Sequence, residues 1–170
     1  MIVFDQPQRC GNWAKQFIPH VSEWGAWYQA IGLERDGQLV ASVVYNYYTG
    51  FNIAMHIAAI PGCRWLTKEY LKVAFRYPFE QLNVQRVTGY VPSTNLTARR
   101  FDEHLGFVEE GRMRQALPDD DLIVYGMLKT ECRWLYGRRI TKASPSYRNR
   151  QPAPGDWRPC PITELPAIAC

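Results

Sequence analysis

Histidine is scarce in this 170-residue chain: three copies, at positions 20, 56 and 104. A histidine-rich metal site is therefore not expected. Cysteine occurs five times, at Cys10, Cys63, Cys132, Cys160 and Cys170, and no two lie closer than ten residues. An odd count at such spacing matches neither a metal knuckle nor a disulfide framework. Reduced thiols in a cytoplasmic setting are the expectation. No run of about 18 apolar residues exists, so no membrane-spanning helix and no membrane partner are expected. The opening MIVFDQPQRCGNW carries Asp5 and lacks the basic-then-apolar order of a secretion signal. Internal repeats are absent.

What is present is ample material for a core. Hydrophobic residues make up 46% and aromatic residues 14% of the chain. At this length one domain is expected, burying roughly 70% of its unfolded surface. The net charge of +4 is unevenly placed. From Cys132 to Gly155 there are six basic residues and no acid, so the remainder is slightly acidic. Beyond Leu135 the chain turns Pro-rich and loses apolar period. The reading is a domain over 1–135 and a basic, Pro-rich tail over 136–170. Such a tail can bind nucleic acid or another acidic surface, or stay solvated.

The periodicity divides the body into elements. Ile2 to Phe4 reads as a short strand. Arg9 to Ile18 has helical spacing, with Trp13 and Phe17 four apart and Pro19 as its limit. WYQAIGLER and QLVASVVYNYY are β-rich runs joined by Asp36-Gly37, a two-residue hairpin turn that needs positive φ. Thr49-Gly50 turns into FNIAMHIAAI, apolar enough for the middle of a sheet. After Pro61-Gly62 the period becomes helical, with Leu66, Tyr70, Val73, Ala74 and Tyr77 on one face and Pro78 kinking or ending the helix. RVTGYVP is a strand. Residues 95–105 form a helix closed by Gly106 in a left-handed cap. Two strands, 107–116 and 121–130, follow around the turn Pro118 to Asp121. The order is βα(α)βββαβαββ: an α+β fold with one mixed, mostly antiparallel sheet and helices on both faces.

NLTARRFDEHLGF, with its Asn-x-x-Ala start and Leu-Gly-Phe end, resembles the most specific helix of the GCN5-related N-acetyltransferase superfamily. FEQLNVQRV is similar to that superfamily's helix-to-strand connection. The resemblance covers about residues 1–132. IVYGMLKTECRWL looks like the end of the subgroup that acetylates ribosomal protein N-termini. The pattern from AIGLERDGQLVASVVYNYY to CRWL is similar to acetyltransferase-like proteins of tailed bacteriophages, some of which lie among virion genes.

The resemblance implies acetyl-CoA as cofactor and an amine as acceptor, with residues 58–68 and the Asn95 helix around the cofactor. The positions it marks are Ala58, Ile60, Arg64, Trp65, Leu66, Thr67, Lys68, Asn95 and Ala98. Asn95 reads both as a helix cap, worth about 1 kcal/mol, and as a ligand to the pantetheine arm; Ser93 and Thr94 are competing caps. The superfamily's pyrophosphate loop, Arg/Gln-x-x-Gly-x-Gly/Ala, aligns with PGCRWLTKEY. Only Gly62 is present there, and Trp65 and Thr67 stand where glycines are expected. Arg64 and Lys68 offer charge in compensation; alternatively Trp65 is core and the two cations are solvated. The usual Tyr acid on the last helix is absent, and its position falls on Asp102. His56, on the fourth strand, is the candidate general base, since a near-neutral pKa suits that task; its other reading is structural. Tyr45, Tyr47 and Tyr125 read as packing or as a substrate groove, and Asp119 to Asp121 as a turn.

Three functions follow. The first is an N-acetyltransferase acting on a protein N-terminus or side chain. The second is a non-catalytic protein on the same fold, a bacteriophage virion or assembly component whose tail meets a protein partner. The third is nucleic-acid binding through residues 133–150, although the body offers no recognised nucleic-acid module.

Overall fold

The computed structural model describes residues 1–136. The tail expected over 136–170, beyond its first residue, and most of the basic stretch 133–150 lie outside the described residues. The elements are β1 (Ile2–Val3), α1 (Pro7–Lys15), β2 (Gln29–Arg35), β3 (Gln38–Asn46), β4 (Asn52–Ala59), α2 (Lys68–Arg76), β5 (Arg86–Pro92), α3 (Leu96–Leu105), β6 (Val108–Leu117), β7 (Asp120–Leu128) and α4 (Arg133–Tyr136). Seven strands form one sheet in the order β1-β2-β3-β4-β5-β7-β6. Every neighbouring pair is antiparallel except β4 and β5, which run parallel. This is the mixed sheet with helices on both faces that the element order implies.

The two faces carry separate cores. On one, α1 brings Cys10, Ala14 and nearby Ile18 and Trp24 onto Ala30, Val44 and Ala58. On the other, Tyr70, Val73 and Ala74 of α2 meet Ile31, Val43, Tyr45 and Ile53. Strand β3 lies between them and is buried from Leu39 through Asn46, which explains its continuous apolar run. Two buried hydroxyls tie α2 to the sheet. Tyr70 Oη donates to the Ile31 carbonyl at 2.7 Å, and Tyr45 Oη donates to the Ala74 carbonyl at 2.6 Å. Tyr45 is therefore core, not groove.

Local chemistry sets the element ends. α1 starts two residues earlier than its spacing suggests, because Pro7 supplies a preset φ in the first turn. It ends at Lys15, before Pro19, as the chain tightens: Gln16 N–H donates to Trp13 O and Phe17 N–H to Ala14 O. Trp13 and Phe17 do meet, their ring centres 4.6 Å apart and their planes tilted by 41°. Leu66 departs from the expected helical face: α2 begins only at Lys68, and Leu66 is 41% exposed. The α-helix ends at Arg76, two residues before Pro78, without a sharp break. The chain widens into a π-helical turn over Tyr77–Gln81, with Leu82 N–H reaching Tyr77 O. Asp36 and Gly37 both hold positive φ, as the β2–β3 hairpin requires. The β6–β7 hairpin turns more tightly than expected, at Pro118-Asp119.

Candidate active-site cleft

Strands β4 and β5 pair only from Asn52 to Ala54 and from Arg86 to Thr88. Both run on, to Ala59 and Pro92, without a mutual partner. The sheet therefore opens into a wedge, and main-chain groups along its edges lack a ladder partner across the gap. A cavity of about 170 Å³ occupies the wedge. Its walls are residues 55–57 of β4, 90–92 of β5, the α3 face carrying Asn95, Ala98, Phe101 and Asp102, residues 17–20, and Phe107. Met55 and Ile57 point to one face of the sheet and His56 to the other, so the cavity reaches both.

Helix α3 is held at both ends. Asn95 is the N-cap, its Oδ1 accepting the Ala98 N–H at 3.1 Å. Ser93 and Thr94 do not compete, because their hydroxyls donate to Asp120, each at 2.6 Å. These bonds hold the Asp120 carboxyl well below the usual range. Asp121 accepts from Arg112 and from the Gln115 amide, so the acidic turn is also a clamp on the helix entry. At the exit, Gly106 takes φ +110° and donates to Asp102 O and Glu103 O. The guanidinium of Arg133 donates to His104 O, and Trp134 Nε1 donates to Leu105 O. Arg99 turns away from the cavity toward Tyr125, the Ser93 carbonyl and Glu109.

His56 is 7% exposed. Its Nε2 lies 3.0 Å from Asn46 Oδ1, and Asn46 Nδ2 donates to the Trp24 carbonyl. That carbonyl can only accept, so it orients the amide, and His56 Nε2 must be the donor. Nδ1 is then the lone-pair nitrogen. Burial, with a smaller contribution from His20, lowers the His56 pKa to about 4. The near-neutral value expected from its residue type is not found, and the ring is a weak, neutral base at pH 7. His20 also lines the cavity, with a buried Nε2 that has no partner among the described residues and a pKa lowered by burial. Asp102 goes the other way. Burial first, then the charge of Glu103, pushes its carboxyl up to about 7.

The marked residues separate into two groups. His56, Asn95 and Ala98 line the cavity. Ala58 packs under α1, and the Ile60 amide is committed to Val40 O at 3.0 Å. Trp65 is half-buried, its ring 5.5 Å from Phe101 and 6.3 Å from Tyr70. Thr67 is the N-cap of α2 and takes the Tyr70 amide at 3.2 Å. Arg64, Leu66 and Lys68 are exposed; neither cation has an ion pair among the described residues. Asn46, His20 and the depth of Asp102 have no sequence signal beyond residue type, since burial from distant segments creates them.

No family model and no curated protein matches the sequence. Solved structures do. A spermidine N-acetyltransferase from Vibrio cholerae is 15% identical, with a TM-score of 0.63 over 77% of this chain and 94% of its own. An N-acetyltransferase from Campylobacter jejuni is 16% identical, with a TM-score of 0.50 over 61% of this chain and 69% of its own. At such identities the likeness is one of fold: the chain has the fold of the GCN5-related N-acetyltransferases.

Proposed function

We propose that the protein is an acetyl-CoA-dependent N-acetyltransferase whose acceptor is an amine, a protein N-terminus or a side chain. The observation that carries this reading is the wedge between β4 and β5, with the cavity in it and Asn95, His56 and Asp102 in its walls. Acyl transfer needs an extended thioester arm beside main-chain donors for the developing oxyanion, and an opened strand pair supplies both. Arg64, four residues before α2, and Lys68, its first residue, are exposed and have no ion pair among the described residues, which supports a contact with pyrophosphate there. The Vibrio cholerae enzyme is named for spermidine, which supports an amine acceptor without selecting one.

A second reading has its own support. Trp65 and Thr67 replace the loop glycines, and the Trp65 ring leans on Phe101 of α3. A cofactor-free protein of this fold, carried in a bacteriophage particle through residues 136–170, accounts for that loop equally well. Titration of acetyl-CoA, followed by melting temperature and by heat, separates the two. Cofactor at about 100 times its dissociation constant adds about 2.7 kcal/mol, a rise of roughly 5–10 °C. Saturable binding supports the enzyme. No binding at about millimolar cofactor refutes it, and tighter binding by Trp65→Gly identifies the indole as the obstruction.

A further inference from the structure

We propose that Asp102 is the proton donor to the thiolate that leaves during acetyl transfer. The inference rests on the acetyltransferase reading above. α3 presents Asn95, Ala98 and Asp102 to the cavity at spacings of three and four, so all three stand on one helical face. Room for the carboxyl comes from β5: a Cβ at Gly89 would lie 3.3 Å from Asp102 Oδ2. Neighbouring acids are all engaged. Glu103 accepts from Tyr125, Glu109 from Arg99, Asp120 from Ser93 and Thr94, and Asp121 from Arg112. The Asp102 carboxyl alone among these has no hydrogen bond or ion pair among the described residues. An unpaired carboxyl in a cleft wall is a poor stabiliser and a good acid-base group.

The other titratable groups around it do not compete for the role. His56 commits its one N–H to Asn46, and His20 and His56 are both held neutral by burial. Glu103 and Tyr125 bond each other, with Arg99 on the same hydroxyl. Tyr90 lines the cavity from β5, on the wall across from the α3 face that carries Asp102. With its carboxyl pushed up to about 7, Asp102 still holds a proton in a large fraction of molecules at neutral pH.

The step balances simply. The amine lone pair forms the C–N bond at the thioester carbonyl carbon. The C–S bond breaks and its electron pair stays on sulfur. The Asp102 proton passes to that sulfur, the nitrogen loses its proton to water, and water reprotonates the Asp102 carboxylate. Thioester and amine become amide and thiol, with no net change at the enzyme.

The test uses the full chain. Carbon-detected NMR of the aspartate carboxyls, with Asp102→Asn to assign the signal, follows Asp102 against pH with and without acetyl-CoA, while calorimetry records binding. The expected midpoint is near 7 in the free protein, moved by at least about half a unit when acetyl-CoA binds. A midpoint near the ordinary carboxylate value of about 4 overturns the proposal. So does a midpoint that ignores bound acetyl-CoA, and that outcome leaves the acetyltransferase reading standing. An absence of binding heat sinks the acetyltransferase reading itself. With spermidine or a free-N-terminus peptide as acceptor, Asp102→Asn lowers kcat by about 100-fold or more with little change in the KM for acetyl-CoA, and Asp102→Glu recovers part of the loss. An unchanged kcat in Asp102→Asn overturns the proposal as well.

Discussion

Removing one oxygen from Tyr45 tests how the π-helical turn is made. Pro78 has no N–H to offer the carbonyl of Ala74, four residues back. Tyr45 Oη, from the sheet beneath, donates to that carbonyl at 2.6 Å. The side chain is fully buried and its ring lies 4.9 Å from Tyr77. Tyr45→Phe keeps the ring, so almost no apolar burial is lost. What is lost is the donor to a buried carbonyl, which costs about 1–3 kcal/mol. In a domain of this size each kcal/mol is worth roughly 2–4 °C, so Tm falls by about 2–12 °C. Urea unfolding is the assay, with the midpoint moving and the slope unchanged. A loss under about 0.5 kcal/mol refutes the reasoning, since the carbonyl would then have another partner. The cause is tested in Pro78→Ala, which restores an N–H. In that background Tyr45→Phe must lose less, and an equal loss removes Pro78 from the explanation.

Other outcomes follow from the cleft and its supports. His56 has a folded pKa of about 4, below its ordinary value, so stability is fully present above about pH 6.5 and is lost as pH falls toward 4, by about 3 kcal/mol in all; His56→Gln flattens that limb in pH-dependent melts. Asp102 has the opposite sign. Its folded pKa is raised to about 7, so its share of stability is present at low pH and lost as pH rises from about 4 to about 7; Asp102→Asn melts higher than wild type at about pH 8. Asn95→Ala removes the cap on Ala98 N–H and lowers stability by about 1 kcal/mol in chemical denaturation. Asp120→Asn removes the charge and one of the two oxygens that accept from Ser93 and Thr94, and because the native carboxyl titrates low, the difference from wild type is greatest above about pH 4 and closes as pH falls.

Much of the fold was legible because its signals are local. The Asp36-Gly37 turn, the Asn95 cap and the Gly106 stop each rest on a few adjacent residues with a backbone requirement. FNIAMHIAAI reads as apolar enough for the middle of a sheet, and its strand, β4, is the central one of the seven. Residues 20–27 show no period because side chains, not helix or strand, hold them: Trp24 Nε1 donates to Gly11 O, and Asn46 donates back to the Trp24 carbonyl. His20 passes unnoticed for that reason. His56 was legible as a histidine on the fourth strand, read as a base or as structural, but its low basicity comes from burial under Trp24, whose ring centre is 5.1 Å away. Leu66 fits a helical face by number, yet Thr67 caps the helix after it. Asp102 reads as a substitution for Tyr; its acidity depends on packing that helical period does not encode. Asp120 reads as a turn because its hydroxyl partners are 26 and 27 residues away.

The order of synthesis bears on the cleft. Both fastenings of α3 are made by chain that comes later: Asp120 at its entry, Arg133 and Trp134 at its exit. β5, its neighbour in the cavity wall, also gains its second ladder only when β7 arrives. A nascent chain that has emerged as far as α3 can close the hairpins of β2, β3 and β4 and cover them with α1 and α2. It cannot yet fix Asn95 or Asp102. The residues of the cleft are thus among the last to be set in place on the ribosome, and truncation just before Arg133 should spare the first four strands while loosening α3.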